Sequence, residues 1–331
     1  MLNCSSRTAE AVLWDYRITF AAKFNTMSLL IVGTMAFDAL ETPFGKVDKI
    51  IGGSATYAAW AASNFTQPIK QVSIVGGDFP DSEINELKAR GVAFEGVEVV
   101  PDGKSFFWSG RYHLDMNTRD TLVTELNVLA QFDPKLPDSY QDSGFVMLGN
   151  LAPAVQISVI NQLQKRPKLI IMDTMNFWMD VAMDELKQAL KMVDLLMVND
   201  SEARQLSGEH SIVKAAKKIQ AMGPKYLIIK KGEHGALLFY GDQIFSAPAL
   251  PLEDVFDPTG AGDTFAGGFI GYLTRINDIS FESMKAAVII GSAMASYCVE
   301  KFGPNRLKEL TAEDIDNRVK EFIALSNFEI R

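Results

Sequence analysis

Residues 257–268 read DPTGAGDTFAGG, four glycines and two aspartates with almost no bulk between them. The stretch follows PLEDVF and runs into TFAGGFIGYLTRI, whose apolar spacing is helical. Thr259-Gly260-Ala261-Gly262 is therefore the start of a helix, with Asp263 in its first turn. Free N–H groups at a helix start and the positive end of its dipole make an anion site. Glycines let the backbone come close to a phosphate. Gly260, Ala261 and Gly262 thus read as a hole for a phosphoryl group in transfer, whose charge spreads as it moves. Asp263 on its own would be an acid favoured by the helix dipole. Among residues this small there is room for a ligand, and the same carboxylate can accept the proton of an attacking alcohol.

Outward from this helix the chain alternates. Short apolar runs rich in Ile, Leu and Val recur: SLLIVG at 28–33, VSIVGG at 72–77, FVMLGN at 145–150, LIIMD at 169–173, DLLMVN at 194–199, YLIIK at 226–230 and ALLFY at 236–240. They do not alternate with polar positions, which is how strands buried on both faces read. Helical patterns lie between most of them, at 54–65, 180–193 and 211–223. The expected fold class is α/β, a mainly parallel sheet with helices on both faces. Beyond Gly260 the pattern is helical throughout, at 262–276, 281–302 and 312–325.

Residues 36–50 and 94–124 break the rhythm. KSFFWSGRYHLD at 104–115 puts Phe106, Trp108, Gly110 and Tyr112 on one strand face and Phe107, Arg111 and His113 on the other. Strands inserted among crossovers suggest a small β-sheet lid; edge strands, or a face covered by a partner, are the other readings. A homodimer through the lid is one such arrangement. The main domain is expected to span 27–331. Residues 1–26, which mix charges with isolated apolar residues and lack the continuous apolar centre of a secretory signal, are expected to form a poorly ordered extension.

Composition narrows the partners. With 32 basic and 41 acidic residues the formal charge is −9, so a general grip on nucleic acid is not expected. No run of 18 apolar residues occurs, so no membrane-spanning helix is expected. Cys4 and Cys298 have neither metal-ligand spacing nor disulfide density, which favours a reducing, cytoplasmic setting. Other phosphate motifs fail. PDGKS at 101–105 imitates the end of a P-loop, but Glu98 stands where its first glycine belongs, and Phe265 occupies the third glycine position of a dinucleotide fingerprint after Gly260 and Gly262.

DPTGAGDTFAGGF at 257–269 closely resembles the C-terminal signature of the ribokinase-like (PfkB) carbohydrate kinases. GGSATYAAWAAS at 52–63 is similar to their N-terminal glycine pair leading into a helix, NDSE at 199–202 to their N-x-x-E element, and KKGEHGALLF at 230–239 to their nucleotide-site strand and turn. The four elements occur in the family's order, in register from about Ser28 to Arg318.

The resemblance implies ATP-dependent phosphorylation of a primary hydroxyl on a sugar, polyol or nucleoside. It makes Asp263 the base and Gly260, Ala261 and Gly262 the anion hole. It makes Asn199 and Glu202 organisers of Mg²⁺ and its waters, an oxygen pair suited to that ion; read without the family, Asn199 follows a strand and Asp200 or Ser201 caps the helix that starts there. Lys230, Gly232 and Gly235 would lie along the nucleotide, although a solvated strand-end lysine and an ordinary turn glycine fit the same positions. Asp38, after the first strand, would bind acceptor hydroxyls with Gly52 and Gly53. Asp257 and Thr259 align with residues that bind a monovalent cation, K⁺, in some relatives. Two amides common in the family's sugar kinases are missing, at Ala36 and Tyr57. Tyr57 is then either an aromatic wall against the acceptor or a packing residue. A nucleoside kinase of the same fold is the alternative enzyme, and a catalytically silent metabolite-binding regulator the alternative outside enzymes.

Overall fold

The computed structural model describes residues 27–327, so the expectation for residues 1–26 lies outside the described residues. In chain order the strands are β1 (Leu29–Val32), β2 (Ala36–Thr42), β3 (Gly45–Gly52), β4 (Ile69–Gly76), β5 (Val92–Val100), β6 (Phe106–Tyr112), β7 (Arg119–Glu125), β8 (Phe145–Leu148), β9 (Leu169–Asp173), β10 (Leu195–Asn199), β11 (Tyr226–Lys230), β12 (Ala236–Tyr240) and β13 (Gln243–Ala247). The apolar runs become the central strands of a nine-stranded sheet ordered β13-β12-β11-β10-β9-β8-β1-β4-β5. All its pairs are parallel except β11–β12 and β12–β13. Helices pack on both faces, giving two large apolar cores on opposite sides of the sheet.

The second sheet has the order β3-β2-β6-β7. Its strands come from 36–52 and 106–125, so the sequence reading of lid strands over 94–124 needs a correction. Residues 92–100 belong to the large sheet, where β5 pairs in parallel with β4. Its polar alternation arises because β5 is the edge of that sheet and only partly covered. Alternation marks a strand covered on one side, whichever sheet holds it.

The glycine-rich helix, Ala261–Ile276, is fixed by packing as well as by its first turn. Helix Ser54–Ala62, buried at every residue, lies directly against it. A Cβ on Gly267 would come within 2.3 Å of the Ala58 carbonyl oxygen, and one on Gly271 within 2.9 Å of the Ala62 Cα. The two helices therefore touch backbone to backbone. Of the four glycines in the opening stretch, Gly267 serves this packing, whereas Gly268 faces helix Phe281–Cys298, where a side chain would meet Met294 at 2.9 Å. Overpacking of this kind typically costs about 1–3 kcal/mol.

Candidate active site

Parallel sheets bind ligands beyond the carboxyl ends of their strands. Asp173, Asn199 and Lys230 are the last residues of the neighbouring strands β9, β10 and β11, and Asn199 pairs with Lys230 in the ladder. The start of helix Ala261–Ile276 lies beside them, since a Cβ on Gly262 would stand 2.9 Å from Lys230 Nζ. The glycine-rich turn and Lys230 are thus one place. Gly260 caps this helix in the left-handed region, with φ 75° and ψ −1°. That conformation turns the chain so that the first-turn N–H groups of Gly262 and Asp263 lie ahead of the helix, without intrahelical acceptors.

Lys230 Nζ donates to Asp173 Oδ2 at 3.1 Å. Burial alone would lower the Lys230 pKa, but Asp173, Glu202 and Asp263 outweigh it and the net shift is upward. Asp263 is pushed up to about 7, first by burial and then by the charge of Asp173, with Lys230 and Arg119 pulling the other way. A carboxylate near neutrality matches the demand on a general base.

Asn199 and Glu202 form a reciprocal cap on helix Asp200–Ser207. Asn199 Oδ1 accepts from the Glu202 N–H at 2.8 Å, and Glu202 Oε2 accepts from the Asn199 N–H at 2.7 Å. A helix does start here, but its cap is Asn199 and not Asp200 or Ser201, and Glu202 Oε1 is left over. Burial first, then Asp173, raises the Glu202 pKa to about 7.

Asp38 lies on β2, only 5% exposed, and a Cβ on Gly52 would fall 2.0 Å from its Oδ2. Gly52 is the space into which Asp38 fits. Gly53 (φ 98°) begins helix Ser54–Ala62 and passes so near Thr34 that a Cβ would meet its carbonyl oxygen at 2.4 Å. Burial raises the Asp38 pKa to about 8, helped by Asp257 and Asp263 and opposed by Arg119. Asp38 therefore senses the charges of Asp257 and Asp263.

The remaining residues singled out in the sequence fall differently. Tyr57 is 1% exposed, and its ring lies 2.4 Å from where a Gly260 Cβ would be. It packs beneath the turn at Gly260, because helix Ser54–Ala62 turns it inward toward the Ala261–Ile276 helix. Asp257 accepts from the Thr259 N–H at 2.8 Å and the Gly303 N–H at 2.9 Å, clamping the loop before the hole. Thr259 Oγ1 donates to Tyr112 Oη at 3.1 Å. Gly232 and Gly235 bracket the turn after Lys230; a Cβ on Gly235 would strike the Ala247 carbonyl oxygen at 2.1 Å, so it serves strand approach.

Sequence reading missed three contributors. Asp173 ends an apolar strand, the same signal that picked out Asp38. Tyr112 and Arg119 come from the small sheet. Arg119 lies 5.7 Å from the Trp108 ring, hydrogen-bonds Tyr112, and lowers the pKa of Asp38, Asp263 and Glu202. Nothing local marks an arginine at the start of an exposed strand as a site residue.

The sequence pattern of the pfkB family carbohydrate kinases matches residues 28–310. The chain belongs to this family. It is an ATP-dependent kinase of the sugar and nucleoside kinase group. The cytidine kinase of Thermococcus kodakarensis is 28% identical over 281 residues, covering 84% of this chain and 98% of the relative. The Burkholderia thailandensis nucleoside kinase in complex with inosine superposes with a TM-score of 0.73 at 22% identity, covering 89% and 98%. A putative ribokinase II from E. coli, in complex with ATP and Mg²⁺, gives 0.73 at 19% identity, covering 90% and 99%. PfkB kinases of this fold work with ATP and Mg²⁺. No helix among the described residues is long and apolar enough to cross a membrane.

Proposed function

We propose that this PfkB kinase transfers the terminal phosphoryl group of ATP to the hydroxymethyl group of a nucleoside. The observation that carries the choice is the face the small sheet turns to the site. Asp38 pairs directly with Trp108, which puts both side chains on one face. Trp108 folds along β6 over Gly110, where a Cβ would meet its ring at 2.2 Å. Phe106 and Tyr112 share that face by alternation, and Tyr112 reaches Thr259 beside the anion hole. A carboxylate for ribose hydroxyls next to an aromatic floor suits a sugar that carries a base. The nucleoside kinases among the similar proteins support the same choice.

In this reading Asp38 orients the acceptor, Asp263 takes the proton of its hydroxyl, and the first-turn N–H groups of Gly262 and Asp263 hold the phosphoryl oxygens. Gly260 and Ala261 shape that turn, and Gly232 and Gly235 the turn along the nucleotide. Among the described residues no three His, Cys, Asp or Glu side chains are grouped to hold a metal. The free oxygen of Glu202 beside Asn199 suits an ion that keeps its waters and takes other ligands from phosphates. Bound there, Mg²⁺ would neutralise charge on the phosphates. A monovalent ion near Asp257 and Thr259 would have to draw on backbone carbonyls, because the Asp257 carboxylate already accepts two amide hydrogens. Activity in K⁺ against tetramethylammonium buffer tests that site. Pairing of two copies through the small sheet, whose outer strand β7 is exposed along its length, is tested by sedimentation.

The deciding experiment is ADP release across cytidine, inosine, adenosine, ribose, fructose and inositol. A nucleoside should give the highest kcat/KM, and a free sugar ahead of every nucleoside would overturn the proposal. Trp108→Ala should raise the acceptor KM about 10–100-fold, given stacking worth about 1–3 kcal/mol per base, with the ATP KM unchanged. An unchanged acceptor KM would remove Trp108 from the acceptor site. The base must be unprotonated to act, and Asp263 loses its proton near pH 7. Activity should therefore fall about tenfold per unit below that pH and level off above it. A profile flat from pH 5 to 8 would contradict the assignment.

A further inference from the structure

We infer that Asp173 is a positioning residue that holds the Lys230 ammonium against Gly262, so that the chain presents its own cation to the phosphoryl group in transfer. The inference rests on the kinase reading above, with Asp263 as base.

Asp173 is held firmly. Its Oδ1 accepts the Thr174 N–H at 2.8 Å, and its backbone carbonyl accepts Gln156 Nε2 at 3.0 Å. Gln156 is fully buried and also donates to the Gly149 carbonyl at 2.8 Å, tying the ends of β8 and β9 together. With one oxygen fixed, the other faces β11 and receives Lys230 Nζ at 3.1 Å, across the intervening strand β10. The two side chains are only 18% and 11% exposed. The ammonium then occupies the space beside Gly262, 2.9 Å from the point a Cβ would fill. Only a glycine leaves that space free at the first turn of the helix.

A lysine on a flexible stem is a point charge with several possible partners. Around Lys230 those partners are Asp173, Glu202 and Asp263. If the ammonium paired with Asp263, it would tie up the carboxylate that has to take a proton. Asp173 takes its hydrogen bond instead, at 3.1 Å. A buried ion pair contributes little certain stability, but it does fix geometry.

The test uses full-chain Lys230→Met, Lys230→Arg, Asp173→Asn and the Asp173→Asn/Lys230→Met double variant. Calorimetry with ATP and with AMP needs neither acceptor nor base. Lys230→Met should weaken ATP about 10-fold or more with AMP unchanged, as expected for loss of a charge-assisted contact to the terminal phosphate. Lys230→Arg should recover part of it. Equal weakening of ATP and AMP, or of neither, would overturn the placement of Lys230 even if Asp263 is the base. Conversely, the expected ATP-selective loss would support that placement even if every acceptor in the panel fails.

The acid limb of the kcat profile then tests Asp173. Asp173 raises the proton affinity of Asp263 and Lys230 lowers it. Asp173→Asn should move the limb to lower pH and reduce kcat about 10-fold or more, whereas Lys230→Met should move it to higher pH. Should Asp173→Asn fail to fold because Lys230 is left unpaired, the double variant restores charge balance, and its limb should return toward the wild-type position. A purely structural Asp173 would change the melting temperature and leave every limb in place, which sinks the inference.

Discussion

Asp263→Asn should lower kcat by about 10²–10⁴-fold, the usual contribution of a positioned general base, while ATP still binds. The substitution is nearly isosteric, so the first turn of helix Ala261–Ile276 and its N–H groups stay where they are. What disappears is the ability to take a proton from the acceptor hydroxyl. ATP affinity should hold or tighten slightly, because a negative charge beside the phosphates has been removed. The effect on acceptor KM should also be small, since Asp38 and the aromatic face of the small sheet are untouched. Measuring kcat with the best nucleoside and ATP binding by calorimetry separates these terms. A kcat within tenfold of wild type, with folding intact, would show that another group or water removes the proton.

The parts of the site that a sequence announces are those carried by one continuous segment. Gly260 and Asp263 sit in one turn, so DPTGAGD was readable from the residues alone as a turn into a helix with an acid in its first turn. The central strands were readable for the same reason: burial on both faces leaves an unbroken apolar run. A helix start after Asn199 was legible from the residues, but the cap was sought at Asp200 or Ser201, one or two positions too late. The small sheet was harder. Alternation showed that 36–50 and 94–124 hold strands covered on one side, but it cannot say which sheet a strand joins, and Val92–Val100 joined the large one. Asp173 bonds Lys230, 57 positions away, and Arg119 lowers the pKa of Asp263, more than 100 positions away. No spacing encodes such a pair. Tyr57 shows the reverse case, a residue correctly placed near the site whose direction depended on how two helices meet.

That direction sets up the second large effect. Gly260→Ala should unfold part of the stability and most of the activity together. Gly260 has φ 75°, a conformation that costs an L-residue roughly 1–2 kcal/mol. The new methyl would also lie 2.4 Å from three ring atoms of Tyr57. Tyr57 cannot retreat, since it is packed in the core shared by helices Ser54–Ala62 and Ala261–Ile276. Overpacking adds about 1–3 kcal/mol, so the sum is about 2–5 kcal/mol against folding. The turn yields more readily than the ring. In the proposed mechanism it carries the N–H groups that hold the phosphoryl oxygens, and misplacing one such donor typically costs about 10²–10³ in kcat. Tyr57→Leu in the same chain removes the ring and leaves the strained φ. The double variant should therefore recover much of the kcat while remaining less stable than wild type. If Gly260→Ala keeps wild-type kcat, the turn does not hold the phosphoryl group. If Tyr57→Leu restores nothing, the loss comes from the backbone conformation alone, and Tyr57 does not buttress the hole.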